Sequence, residues 1–377
     1  MKITHVIPAL TKGGAERVLI DLANEASAAG HAVTVVVAHP EDPALGEGML
    51  RPEIVVRHMR GAPSRYRRYL RLPAWLLANW SWLREQDVVH CHLTFAAALG
   101  TQLRWLRRVT GSKRPRVVET FHGVGMPIRR RQLILSTFLA RGRDGLALMA
   151  RDAHWTRFAE RNPALPLAII PNGVAVDDAP VGAAERVAYR EGLGIPADAP
   201  LVGTIGRVQA ERNPLAIVAA FAGIARQAGA GVHFLMGGTG PMLDAVRAEG
   251  ERLGIGDRLH LPGMVLSPRT AMAAMDVYVS VNVGPITGIA GLEAAAGGTP
   301  VVAVQALAEH RRGEADWIWS DPDPALVAQE AARLLADVGA RTALAERQRA
   351  HVLAHHSAGA MARAYEALYA RAGAESR

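Results

Sequence analysis

Apolar and polar positions along the chain switch repeatedly between two periods. Residues 2–10, KITHVIPAL, form an apolar run broken by His5 and Pro8 and read as a first buried strand. In GAERVLIDLANEASAAG, residues 14–30, Ala15, Val18, Leu19, Leu22 and Ala23 recur at the spacing of one helical face, and Gly30 closes the segment. HAVTVVVA, DVVHCH, PRVVETFH, LALMA and LAIIPNGV follow as strand-like runs up to residue 174.

The second half keeps the rhythm. LVGTIGRV is a strand, and NPLAIVAAFAGIARQAG is a helix with Asn213 suited to its cap and Pro214 to its first turn. VHFLMGG and RLHLPGMV read as strands flanking the helix MLDAVRAEGERLG. Ser267 and Pro268 open another helix, then DVYVSV, GIAGLEAAAGG, PVVAV and PALVAQEAARLLADVG read as strand, helix, strand and helix. MARAYEALYARAG is a closing helix. Strands alternating with helices of this length predict an α/β chain with parallel sheets covered on both faces. Two such sheets in tandem make two doubly wound, Rossmann-like domains, divided near residue 170. Residues 171–200 have weak periodicity and many turn residues and read as the junction.

Size agrees with two domains, because 377 residues exceed one ordinary core. The single cysteine, Cys91, excludes an internal disulfide and fits a reducing compartment. The amino-terminal run lacks the form of a signal peptide, and no window reaches the roughly 18 uninterrupted apolar residues of a spanning helix, so a soluble intracellular protein is expected. The net charge of +8 changes the picture because it is uneven. Up to Ile170 there are 25 basic and 13 acidic residues, whereas the remainder carries 18 and 22. An anionic partner is therefore expected at the first domain.

Candidate chemistry sits at the carboxyl ends of the predicted strands, where loops enter helix amino termini and unpaired amides favour anions. Gly13 and Gly14 follow the first strand and either admit a ligand close to the backbone or make a tight turn. Gly288 and Gly291 free amides suited to a diphosphate, and Glu293, one turn into that helix, can accept both hydroxyls of a ribose; close helix packing explains the same glycines. Arg207 and Arg212, just past LVGTI, can clamp a pyrophosphate or simply face solvent. His90, His92 and His122 end two strands, and His122 beside Gly123 is the best placed to touch a ligand. No third ligand accompanies His90 and His92 at metal-site spacing. Asp321 and Asp323 precede a helix that Asp323 can cap, so no metal site is expected. GGTGPM lacks the third glycine of a dinucleotide fingerprint.

In order along the chain, GGAE, DVVHCH, TFHG, PNGV, GRVQAERNP, GGTGP, LPGMV, DVYVSV and GLEAAAGGTPVVA span nearly its whole length. Together they resemble the retaining glycosyltransferases of family four. The resemblance implies the GT-B architecture: two doubly wound domains facing across a cleft, residues 1–170 on the acceptor side and 171–356 on the nucleotide-sugar side. It also implies a carboxyl-terminal helix, about 357–377, that returns to the first domain. It implies retaining sugar transfer from a UDP- or GDP-linked donor, without cofactor or obligatory metal. Arg207 and Arg212 match the positions that hold the donor diphosphate, with arginine at the second where lysine is usual. Glu293 matches the ribose-binding glutamate and His122 the histidine near the anomeric centre. Gly13 and Gly14 match the loop that reaches toward the diphosphate. Gly206, Gly288, Ile289 and Ala290 belong to the donor loops, and Met264 and Val265 lie where the base meets backbone.

One position departs from the family pattern of two glutamates separated by seven residues: Pro285 stands where the first is usual. That removes the customary acidic contact to the transferred sugar and leaves Thr287 or Asn282 to supply a neutral one. A catalytically inactive binding subunit and a nucleotide-sugar epimerase are the alternatives to transfer. The basic segments interleave arginine with Trp, Tyr and Leu. Arg67, Arg68, Arg71, Arg129, Arg130 and Arg131 mark an amphipathic face suited to anionic lipid, or ordinary helices with snorkelling arginines. A peripheral enzyme on the inner face of the cytoplasmic membrane, with a lipid-linked or glycan acceptor and no nucleic acid partner, is the expectation.

Overall fold

The computed structural model describes residues 1–11, 13–38, 46–59, 67–122, 129–176, 179–282, 288–305 and 317–374. The chain divides into two compact units, Met1–Gly173 with Ala358–Arg377, and Val174–Ser357. Each holds one wholly parallel sheet with helices on it. The first sheet comprises β1 (Lys2–Ile7), β2 (Ala32–Val37), β3 (Val55–His58), β4 (Val88–His92), β5 (Arg116–Phe121), β6 (Gly145–Leu148) and β7 (Leu167–Ile169), in the order β3-β2-β1-β4-β5-β6-β7. The second comprises β8 (Leu201–Ile205), β9 (His233–Gly237), β10 (Leu259–His260), β11 (Val277–Asn282), β12 (Val301–Gln305) and β13 (Ile318–Ser320), in the order β10-β9-β8-β11-β12-β13. This is the expected doubly wound arrangement.

The cores follow the period-two alternation of buried strands. In the second sheet Val277 and Val279 join a cluster around Phe221 and Phe234, while Tyr278, between them, packs into the opposite cluster around Leu235 and Leu292. In the first sheet Val89 and Cys91 face the apolar cluster with Leu99 and Leu103. The other face of β4 carries His90 and His92, both fully buried. The helix Ala358–Ala374 belongs to the first unit and covers that face with Met361, Tyr365, Leu368, Tyr369 and Ala372, a helical stripe. Large side chains of this kind stabilise by roughly 1.5–3 kcal/mol each when fully buried. Arg116 Nη1 donates to Tyr369 O at 3.1 Å and Arg371 Nη2 to Leu167 O at 3.1 Å, which fixes the helix across β5 and β7.

Three local expectations are corrected. The segment read as a junction contains the helix Ala183–Glu191. Its buried anchor is Arg190, which donates to Ala274 O, Ala197 O and Ala199 O and pairs with Asp276, so no apolar stripe marks it. Among the described residues RLHLPGMV pairs only at Leu259 and His260, because Pro262 has no N–H and Gly263 turns with φ 73°. The helix expected over 324–339 ends at Ala336. Asp337 takes extended backbone and its carboxylate accepts Ala340 N at 2.9 Å, capping a second helix, Val338–His355.

Candidate functional site

In a doubly wound sheet the connections run outward in opposite directions from one pair of neighbouring strands, and the loops leaving that pair part to open a crevice. The second sheet reverses between β8 and β11. Tyr278 closes the floor of that crevice. Its hydroxyl accepts from Ile205 N at 3.1 Å and donates to Ile205 O at 3.0 Å. Burial pushes the phenol up to about 12, so it remains a neutral tie between the strands.

Arg212 lies above it. Its Nη1 donates to Val281 O at 2.8 Å, reaching from the β8 loop to the end of β11. Burial lowers the guanidinium from its usual value, and the charge of Arg207 lowers it further. The half-buried Arg212 is therefore held near a second like charge, that of exposed Arg207. Among the described residues neither is ion-paired, an arrangement that favours an anion between them. Gly288 precedes the helix Ile289–Ala296 with φ −64° and ψ 146° and no side-chain cap, so the first-turn amides of Ile289, Ala290 and Gly291 lack intrahelical acceptors. Glu293 is half-buried in the same helix, and its charge reaches Tyr278. The structure thus brings Arg207, Arg212, Gly288 and Glu293 to the ends of one strand pair. Asn213 takes the left-handed region, φ 44°, at the start of Pro214–Ala228 and makes no side-chain cap, contrary to expectation.

Among the described residues, no atom lies within 4 Å of a Cβ added at Gly206. Gly238 and Gly240 have a packing role instead: a Cβ on either would strike the carbonyl of Gly206 or of Val208. Val265 lies against Gly237 at the end of β9. Beside it, a cavity of about 480 Å³ is lined by Tyr189, Met264, Val265, Leu266 and Thr270. Asp323 accepts Ala325 N at 2.8 Å and is a helix cap, as expected. Pro285 and Thr287 lie outside the described residues, as does the side chain of Asn282.

The first sheet reverses between β1 and β4. Gly13 and Gly14 begin the helix Gly14–Ala28 there, with the carboxylate of Glu16 beside Gly13 and bonded to Thr11 Oγ1 at 3.0 Å. Register places His5 opposite His90, and His92 opposite Thr120, so these side chains share one face with His122 just beyond β5. His5 Nδ1 and His92 Nε2 are 3.2 Å apart, and His92 Nδ1 and His122 Nε2 3.1 Å. His90 bonds through Nδ1 to the Tyr369 hydroxyl and through Nε2 to Thr120 Oγ1, each at 2.8 Å, and Thr120 Oγ1 meets the Tyr365 hydroxyl at 2.7 Å. Burial lowers His5 to about 3 and His122 to about 4, and holds His90 and His92 well below 6.5, so all four rings are neutral at physiological pH. His5, Tyr365 and Tyr369 were not singled out from sequence; a polar ring at a strand position flanked by core residues was the one signal.

Ring nitrogens of His5, His90 and His92 lie within 4.8 Å of one another, a third ligand that the sequence did not reveal. Ligands about 2.1 Å from one ion lie no more than about 4.2 Å apart. The ring nitrogens of His90 and His92 are already hydrogen-bonded, so ligation would break those bonds.

On the expected basic face, Arg71, Arg129, Arg130 and Arg131 are exposed, while the side chains of Arg67 and Arg68 lie outside the described residues. The helix Leu93–Val109 packs between Arg67–Ala78 and Arg130–Ala140. These three helices expose Leu70, Leu77, Trp105, Ile134 and Phe138 among the arginines, Leu70 at 81%.

A family model described as Glycosyltransferase Family 4 matches residues 12–178, and one described as Glycosyl transferases group 1 matches residues 199–337. The chain belongs to glycosyltransferase family 4. Among solved structures, HepE of Anabaena in complex with UDP-glucose superposes with a TM-score of 0.78 at 21% identity, over 98% of this chain and 100% of that one. The fold of this family 4 member is GT-B. Among curated relatives, alpha-monoglucosyldiacylglycerol synthase of Streptococcus pneumoniae is 30% identical over 30% of this chain and 26% of its own length. The lipopolysaccharide core biosynthesis glycosyltransferase LpsE of Rhizobium meliloti is 30% identical over 48% of this chain and 53% of its own. The chain thus spans about a quarter to a half of the curated relatives it matches.

Proposed function

We propose that this family 4 member is a retaining, metal-independent glycosyltransferase. It moves a sugar from a UDP- or GDP-linked donor to a cell-envelope glycan or lipid-linked acceptor at the inner face of the cytoplasmic membrane. The observation that carries the reading is the crevice between β8 and β11, where Arg212, tied to Val281 O, and the uncapped amides after Gly288 converge. Departure of a nucleoside diphosphate builds negative charge on its phosphate oxygens. Fixed guanidiniums and amides stabilise that charge as it grows, without reorganisation. Glu293 takes the ribose hydroxyls, and the cavity beside Met264 and Val265 receives the base. The leaving phosphate accepts the acceptor's proton, so no strong protein base is required.

Support for the donor class comes from the Anabaena neighbour, whose complex holds UDP-glucose. Support for a lipid-linked or lipopolysaccharide acceptor comes from the two curated relatives and from the arginine-rimmed apolar face of the first unit. Among the described residues no helix is long and apolar enough to cross a membrane, so attachment is assigned to that face.

The test is thermal shift against UDP, GDP and ADP, followed by incubation with nucleotide sugars and membrane lipid extract. A stabilising nucleotide and a glycosylated lipid are expected. Binding without turnover identifies a nucleotide-binding subunit, and isomerised donor without product identifies an epimerase. Sedimentation with anionic but not neutral vesicles at low salt checks the membrane face.

A further inference from the structure

The file of rings His5, His92 and His122 has a direction. Each is neutral and carries one ring hydrogen. Two contacts, His5 Nδ1 to His92 Nε2 and His92 Nδ1 to His122 Nε2, admit only two concerted arrangements. In the first, His122 donates to His92 and His92 donates to His5. That leaves the hydrogen of His5 on Nε2, an atom that is fully buried and has no hydrogen-bond partner among the described residues. In the second, His5 donates from Nδ1 to His92, and His92 donates from Nδ1 to His122. His5 Nε2 then buries only a lone pair. An orphaned buried N–H is rarer and costlier than an under-used acceptor, so the second arrangement is favoured. His90 does not compete for these hydrogens, because both of its nitrogens bond to hydroxyls, which donate or accept as needed.

We propose that His92, backed by His5, is a positioning residue that fixes His122 as the Nδ1–H tautomer, so that His122 offers the ligand a hydrogen-bond donor and not a basic lone pair. His122 lies just beyond the end of β5 and is half-buried, and no described residue is bonded to its Nδ1. Such a donor selects an acceptor atom, a sugar hydroxyl oxygen or a phosphate oxygen. It also excludes His122 as the base that removes the acceptor's proton. The inference rests on the glycosyl-transfer reading for the ligand's identity, but the tautomer itself does not depend on it.

The experiment is a long-range nitrogen–proton NMR correlation of the histidine rings in the full chain, with His122 assigned by substitution. The wild-type protein is expected to show a protonated Nδ1 and an unprotonated Nε2 at His122. In His92→Phe the single tautomer is lost, and turnover falls at least tenfold while the dissociation constant for the nucleotide stays within twofold. A hydrogen on Nε2 of wild-type His122 overturns the proposal. So does a His92→Phe protein in which the ring nitrogens of His122 are unchanged. If His92→Phe does not fold, the wild-type spectrum decides alone. Absence of any nucleotide binding with the expected tautomer present would sink the glycosyl-transfer reading and leave the relay standing.

Discussion

The two strand pairs at which the sheets reverse, β1 with β4 and β8 with β11, share one topology and hold opposite chemistry. Between β8 and β11 the guanidiniums of exposed Arg207 and half-buried Arg212 are presented by a loop, beside a helix start that carries Glu293. Between β1 and β4 they are neutral, buried and mounted on the strands themselves. The difference teaches that the fold supplies a place and the side chains decide its use. Loop-borne guanidiniums keep their charge because water still reaches them, and so suit a charged ligand. Strand-borne imidazoles lose theirs to desolvation and can only orient hydrogen bonds.

The largest effect expected from this contrast is an acid sensitivity of the first unit. His5 and His122 ionise near pH 3 and 4 when folded and near 6.5 when unfolded. The unfolded chain therefore binds more protons across that interval, and their stabilisation, complete above pH 6.5, is lost as pH falls toward 4. Denaturant melts monitored at several pH values should show this decline, and His5→Phe should flatten it. A stability unchanged from pH 7 to 4 would show that the rings are not buried neutral.

Next in size is Arg212→Leu. It removes a guanidinium and its bond across the crevice, and kcat/KM should fall about a hundredfold, or about 2.7 kcal/mol. Nucleotide affinity should fall with it, whereas variants of the β1–β4 histidines should spare that affinity. Equal loss of nucleotide binding from both sides would erase the distinction. Arg207→Ala and Glu293→Ala are each expected to cost at least tenfold in turnover, about 1.4 kcal/mol. Near-normal steady-state rates in either variant would show that the donor site lies elsewhere. The smallest effect is that of Tyr369→Phe, which deletes one hydrogen bond to His90. Unfolding free energy should drop by about 1 kcal/mol with nucleotide affinity unchanged.

Much of the second crevice was legible because its parts are local. Arg207 and Arg212 follow one strand within a few residues, and Gly288 and Glu293 bracket one helix start, so position relative to a strand end identifies them. The helix Ala183–Glu191 was not legible, because its buried residue is an arginine held by three carbonyls and an aspartate. Nor was the break at Asp337, since an aspartate amid helix-forming residues shows no boundary until it is seen to cap Ala340. The uncapped Asn213 likewise looks identical in sequence to a cap.

The sequence by itself determined the alternation of strands and helices, the two parallel sheets and the loops able to hold an anion. Those follow from periodicity and from glycine and charge at strand ends, which are properties of neighbours along the chain. Tertiary structure alone decided which histidines meet. His5 and His92 are 87 positions apart, and Tyr369 lies 279 from His90. Only the pairing of β1 with β4 and β5, and the return of the last helix onto that face, brings them within hydrogen-bond reach. Register is set by the fit of whole strands and helices against one another, and no single segment carries that information.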